Sequence, residues 1–128
     1  MKVLLVADAA WIRNEAMAAL SDPGTFIRDV ADPRRAVQAA SEFEPDVVLV
    51  DLQVGSMGGM AMARALREAE FAGDIPVTSI VLLLDRTADE FLAGRAAADA
   101  WVVKPFTPQQ LRAAIASATA SLTGGRSA

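Results

Sequence analysis

The segment Pro45-Asp46-Val47-Val48-Leu49-Val50-Asp51 is followed directly by Leu52-Gln53-Val54-Gly55-Ser56-Met57-Gly58-Gly59. It sets four consecutive apolar residues, three of them valine, between a proline and a run of glycines. That composition reads as a strand buried on both faces of a parallel sheet. Asp51 stands where the strand runs out. A carboxylate in such a place persists only if it is paired, hydrogen-bonded or bound to a metal, so Asp51 is the residue whose role needs an explanation.

Composition limits what that role is. The chain has 128 residues, 53% of them hydrophobic, which is enough for one domain with a real core and leaves no room for a second module. A net charge of −4 argues against a sequence-independent grip on nucleic acid or on an anionic membrane, since both need an excess of Lys and Arg. Cysteine and histidine are both absent, which removes disulfides, thiol and imidazole chemistry and the usual zinc ligands. Any metal must then be a hard ion held by oxygen. The first apolar run, Val3 to Val6, is too short for a signal-peptide core, so a cytoplasmic location is expected. No apolar run reaches membrane-spanning length.

Outward from the Asp51 strand, the sequence alternates strand and helix. Val3 to Val6 is a short apolar strand with Asp8 just past its end, followed by a helix carrying Ile12, Ala16 and Leu20 on one face and closed at Asp22-Pro23-Gly24. Residues 25–30 mix polar and apolar side chains, as an edge strand does. Asp32-Pro33 is an N-cap with proline at the first helical position, and Ala36, Val37 and Ala40 point inward from the second helix. A third helix, lined by Met62, Ala65, Leu66 and Ala69, stops before Gly73.

Pro76 to Leu84 is the longest strand candidate. Thr87-Ala88-Asp89-Glu90 has the form of a capping box, predicting a fourth helix that buries Phe91 and Leu92. Residues 100–103 form the last strand and Lys104-Pro105 ends it. Thr107-Pro108-Gln109-Gln110 is a second capping box, opening a helix with Leu111, Ala114, Ile115, Ala118 and Leu122 at helical spacing. The domain is expected over residues 1–122, with 123–128 as a frayed tail.

Five strands alternating with five helices through short loops give an α/β fold: a doubly wound, five-stranded parallel sheet, (βα)5. Sites in such sheets lie at the carboxyl ends of the strands, where strand order reverses. Asp8, Asp51, the leucines at 82 to 84 and Lys104 all fall at such ends and are expected to share one shallow cleft.

These residues resemble the receiver domain of two-component response regulators over essentially the whole chain, which implies a flavodoxin-like fold of the CheY type with strand order 2-1-3-4-5. The matching pieces are Asp8 after the first strand, Asp51 after the third, Gly59 eight residues later, and Lys104-Pro105-Phe106 after the fifth. The resemblance implies that Asp51 is a phosphoacceptor served by a sensor histidine kinase. It also implies that Asp8, Asp51 and the backbone carbonyl of Gln53 hold a magnesium ion, and that Lys104 pairs with the phosphoryl group. The chemistry accounts for these residue types: a carboxylate attacking phosphorus approaches an anion, so a divalent cation and a lysine are needed to offset the charge. Magnesium keeps several waters, takes one or two carboxylates and accepts phosphate oxygens as further ligands.

Four positions depart from the family pattern. Ala7 replaces the first of two adjacent acids, and Gly55 stands where proline is usual. Ala97 stands where a glycine usually ends the fourth helix. Counting back from Lys104 places Leu82 at the switch position, where the family has Thr or Ser and where a slip of one or two residues still finds leucine. Trp101 occupies the family's aromatic switch position, and its structural reading is a wedge between sheet and helix. Asp8 reads equally as an N-cap of the first helix, both roles being compatible. Met57, Met60 and Met62 read as packing.

Other classes lack their marks. A flavodoxin-like electron carrier needs a Ser/Thr/Gly-rich loop where Asp8-Ala9-Ala10-Trp11 stands, a haloacid-type phosphatase needs an acid at Gln53, and no dinucleotide fingerprint is present. Two functions remain. One is a stand-alone, non-enzymatic receiver in phosphorelay signalling that acts on an unknown downstream protein by contact, a homodimer being compatible. The other is a phosphorylation-independent pseudo-receiver acting as a constitutive interaction module. The contact surface is expected on the last strand and helix, with Trp101 and Phe106.

Overall fold

The computed structural model describes residues 1–55 and 58–120. Five strands, β1 (Lys2–Val6), β2 (Phe26–Val30), β3 (Val47–Asp51), β4 (Ser79–Leu84) and β5 (Ala100–Val103), form one parallel sheet in the order β2-β1-β3-β4-β5. Between and after them lie α1 (Ala10–Ala19), α2 (Ala36–Phe43), α3 (Gly59–Ala72), α4 (Glu90–Arg95) and α5 (Pro108–Ala120). The doubly wound order expected from the sequence is thus the observed one.

Each face of the sheet builds its own core. Val3, Leu5, Val47, Leu49, Val81 and Leu83 face α1 and α5, meeting Ile12, Ala16, Leu111 and Ile115. Leu4, Val48, Val50, Ile80, Leu82 and Leu84 face α2, α3 and α4, meeting Ala36, Ala40, Met62, Leu66 and Ala93. Every residue of β3 and β4 is buried, as continuous valine and leucine runs demand, whereas β2 at the edge is exposed at three of five positions. Alanine dominates the helix contacts because a small side chain lets a helix lie close to a sheet of branched residues.

Local signals act mostly as read. Asp32 accepts from the Arg34 N–H at 3.0 Å and caps a 3-10 turn (Pro33–Arg35) that runs into α2. Thr107 and Gln110 exchange the two bonds of a capping box, at 2.8 and 3.1 Å, at the start of α5. Gly73 ends α3 at φ 82, a conformation that glycine adopts without Cβ strain. Met62 is buried and Met60 packs beside it. Met57, Leu122 and the 123–128 tail lie outside the described residues.

Three expectations need correction. β4 starts at Ser79, not Pro76, because proline has no N–H for the ladder and the Thr78 N–H is bonded to the Glu70 carboxylate at 3.1 Å. The cap of the α4 segment sits one residue early: Asp89 accepts from the Arg86 N–H at 3.2 Å across a 3-10 turn (Thr87–Asp89). Phe91 and Leu92 are not buried but 70% and 52% exposed, since α4 has only six residues and docks through the small side chains of Ala93 and, just past its end, Ala96.

Candidate functional site

Strand order reverses between β1 and β3, and the residues at their carboxyl ends come from the two flanking turns. Val6 pairs with Val50, so Asp8 and Asp51 leave neighbouring strands roughly 4.8 Å apart. Asp51 is the last residue of β3 and is 1% exposed. Its depth follows from what surrounds it. Gly59, at the start of α3, lies so close to the end of β3 that a Cβ there would meet the Asp51 carbonyl oxygen at 2.6 Å. Only glycine lets the helix begin against that strand, and its N–H donates to the Leu52 carbonyl at 2.9 Å.

Lys104 follows β5 directly and is fixed by its backbone N–H on the Leu84 carbonyl at 2.7 Å, ahead of a cis Lys104–Pro105 peptide. Its ammonium, on a side chain only 7% exposed, donates to Oδ1 of Asp51. The ammonium also lies 2.9 Å from Oδ1 of Asp85, the residue directly after β4. Oδ2 of Asp85 in turn accepts from the Gln53 side-chain amide at 2.8 Å. Burial opposes charge on Lys104, but the bonds to Asp51 and Asp85 outweigh it and raise its pKa above 10.5. Burial likewise works against the Asp85 carboxylate, and the bonds from Gln53 and Lys104 overcome it, holding the carboxyl below 3.8.

Asp8 is exposed, and one of its carboxylate oxygens accepts from the Gly55 N–H at 2.9 Å. The N-cap expectation fails: Ala9 is the N-cap of α1 and no side chain caps that end. Gly55 suits this place for two reasons. Its φ is 53, and a Cβ would meet Pro33 Cγ at 2.9 Å; a proline there would also have no N–H to offer Asp8. Ala7, at the site of the missing acid, is fully buried with its N–H on the Val30 carbonyl at 3.1 Å.

The remaining positions divide. Leu82 lies between Val50 and Trp101 in the sheet, two residues short of the end of β4, and is wholly buried. β4 ends at Leu84, two residues beyond Leu82 and within the slip that still finds leucine. Trp101 is half-buried, wedged over α4, and its indole N–H donates to the Glu90 carboxylate at 2.9 Å. Phe106, expected at a contact surface, is 9% exposed and belongs to the core under α5.

The donor chemistry fits a hard cation. Asp8 and Asp51 each keep one carboxylate oxygen free of protein hydrogen bonds among the described residues, and neither has a nitrogen or sulfur ligand beside it. No group of three metal-ligating side chains forms among the described residues, so water and phosphate oxygens would complete the shell, as magnesium prefers.

Residues 3–116 match the family model described as the response regulator receiver domain. The chain belongs to that family. Its relatives include the probable transcriptional regulator ycf27 of Guillardia theta, 33% identical over 89% of this chain and 43% of that protein. The DNA-binding response regulator MtrA of Mycobacterium tuberculosis is 30% identical over 89% of this chain and 48% of its own length. The receiver thus spans about half the length of the curated relatives it matches. Among solved structures, chemotaxis protein CheY4 of Vibrio cholerae superposes with a TM-score of 0.78 at 28% identity, covering 91% of this chain and 97% of that one. No helix among the described residues of the receiver is long and apolar enough to cross a membrane.

Asp85 is the site residue that the sequence reading missed. The signal was present: like Asp8 and Asp51, it is an acid just past an apolar strand, here Val81-Leu82-Leu83-Leu84.

Proposed function

We propose that this receiver accepts a phosphoryl group on Asp51 from the phosphohistidine of a sensor kinase and signals by protein–protein contact. One observation supports this above the others: a carboxylate 1% exposed at the end of the central strand, held by the ammonium of Lys104. In the reaction the Asp51 oxygen attacks phosphorus while Lys104 offsets charge on the phosphoryl oxygens. Asp8, Asp51 and the Gln53 carbonyl are the magnesium ligands in this reading, and the metal would supply the rest of the charge neutralisation when bound. The functional unit is residues 1–122. With a net charge of −4 the chain makes no DNA contact of its own, and it works in the cytoplasm, where the kinase domain of a sensor is reached.

A second reading, the phosphorylation-independent interaction module, is favoured by the Gln53–Asp85–Lys104 bridge across the mouth of the site. Incubation with acetyl phosphate and magnesium, followed by intact mass, separates the two. The wild type is expected to gain one phosphoryl group slowly and Asp51→Asn none. A wild type left unlabelled beside a conventional receiver that is labelled establishes the second reading.

A further inference from the structure

Lys104 is the only cation bonded to Asp51 among the described residues, and it serves two carboxylates. The second is not a bystander, for Asp85 is gripped on both oxygens, by Lys104 at 2.9 Å and by the Gln53 amide at 2.8 Å. Two features make that arrangement specific. Gln53 sits in the turn immediately after the phosphoacceptor strand, so its bond to Asp85 closes a bridge from β3 to β4 over the carboxyl ends. Lys104 is 7% exposed and has little freedom to serve a third anion without releasing one it already holds.

A phosphoryl group arriving at Asp51 is such an anion, and it needs the same ammonium. From these contacts we infer that Asp85 is a resident anion that competes with the phosphoryl group for Lys104 and so sets how readily Asp51 is modified. Asp85 is a positioning residue: it acts through Lys104 and Gln53 and touches no reacting atom. The inference rests on Asp51 being the phosphoacceptor. With acetyl phosphate the step is a displacement in which an Asp51 oxygen forms a bond to phosphorus, the bond from phosphorus to the acetate oxygen breaks, and acetate leaves with the electron pair. No proton, oxidant or further reactant is required. Asp85 enters only by determining whether Lys104 is available.

The test compares wild type, Asp85→Ala, Asp85→Asn and Asp51→Asn by rate of acetyl phosphate labelling over a range of donor concentrations. Both Asp85 variants are expected to be labelled about ten-fold faster than wild type at low donor, the factor that about 1.4 kcal/mol represents, with the gap narrowing as donor saturates. Asparagine keeps the size of the side chain and its bond to Gln53, so a residue that merely anchors the loop would leave Asp85→Asn at the wild-type rate. Equal rates in all three labelled proteins, or slower rates in the variants, overturn the inference and leave Asp51 as phosphoacceptor. If none is labelled, the phosphoacceptor reading fails, and beryllofluoride titration followed by 19F NMR decides: tighter binding to Asp85→Ala upholds competition for Lys104, while equal or absent binding overturns it.

Discussion

The two ends of the sheet each gather acids around a buried or half-buried cation, and they treat those acids differently. At the amino end, Arg67 of α3 donates to Glu70 and to the Thr78 and Ala97 carbonyls at 3.0 Å, and to Asp99 at 2.5 Å. The acids are further bonded by backbone: Glu70 accepts from the Thr78 N–H at 3.1 Å and Asp99 from the Ile80 N–H at 2.8 Å. That cluster is closed, its planar guanidinium matched donor by donor to fixed acceptors. At the carboxyl end, Asp51 takes its one described hydrogen bond from a point-charge ammonium, and the same ammonium is shared with Asp85. Saturated valence at one end serves stability; spare valence at the other is where, in the proposed function, an incoming anion and cation would find ligands.

The largest expected effect that tests this contrast is at the amino end. Arg67→Ala removes the cation shared by two carboxylates that are 18% and 9% exposed, and is expected to destabilise the domain by about 3 kcal/mol, read from urea unfolding. Labelling of Asp51 should be unchanged in conditions where the variant is folded. A large loss of labelling with little loss of stability would break the division of labour between the two ends.

The next effect concerns how far the open end communicates. Leu84 holds the strand-end position and cannot donate a hydrogen bond, while the indole of Trp101 is tied to Glu90. A ligand shifts a two-state equilibrium only through contacts that differ between the states. The missing charge-assisted bond is worth roughly 1.5–3 kcal/mol, so beryllofluoride is expected to perturb NMR shifts around Asp8, Asp51 and Lys104 and to leave the Trp101 indole signal in place. Leu84→Thr should make that signal respond. A concerted shift through α4, β5 and Trp101 in the wild type would sink the proposal of an uncoupled switch.

A smaller effect sharpens the picture of the closed end. Ala97, whose carbonyl receives Arg67, has φ 63, which costs a residue with a Cβ roughly 1–2 kcal/mol. Ala97→Gly should therefore raise stability by about 1 kcal/mol in chemical denaturation. A loss of stability would place the strain elsewhere.

The smallest effect is a pH dependence at the open end. The Asp85 carboxyl is held below 3.8, so its contribution is complete above 3.8 and disappears as pH falls through the lowered value. Lys104 is raised above 10.5, so its contribution is complete below 10.5 and disappears as pH rises through the higher value. Asp85 is 33% exposed, which limits the acid-limb change to on the order of a few tenths of a kcal/mol. Unfolding followed below pH 4 should be correspondingly less steep in Asp85→Asn, and an identical acid limb in the two proteins would mean that the Lys104–Asp85 bond contributes nothing.

The fold was legible because its signals are local and mutually consistent. Apolar runs too short for helices, interrupted by capping residues, admit one kind of sheet; right-handed crossovers narrow its topologies, and the resemblance to receivers supplies the strand order. Asp51 was legible for the same reason, as a charge where burial forbids an unpaired one. Asp8 and Lys104 were legible as neighbours of strand ends. Among the expectations that failed was which side of a short helix meets the core: Phe91 and Leu92 are apolar, but six residues give a helix too little length for hydrophobicity to decide its rotation.

Sequence by itself determined the parallel sheet, the placing of Asp51 and Lys104 at the carboxyl ends of their strands and the absence of a hydroxyl at the end of β4. Each follows from residue type and spacing along one segment or between two strand ends. Tertiary structure alone decided that Asp8 turns to the Gly55 N–H instead of capping α1, that Leu84 rather than Leu82 ends β4, and that Asp85 shares Lys104 with Asp51. These depend on strand register and on the path of turns between distant segments, where a shift of one residue moves a side chain to the opposite face. No local pattern records that choice; the packing of α3 through Gly59 against the end of β3 and of α4 through Ala93 against the core belongs to the tertiary structure.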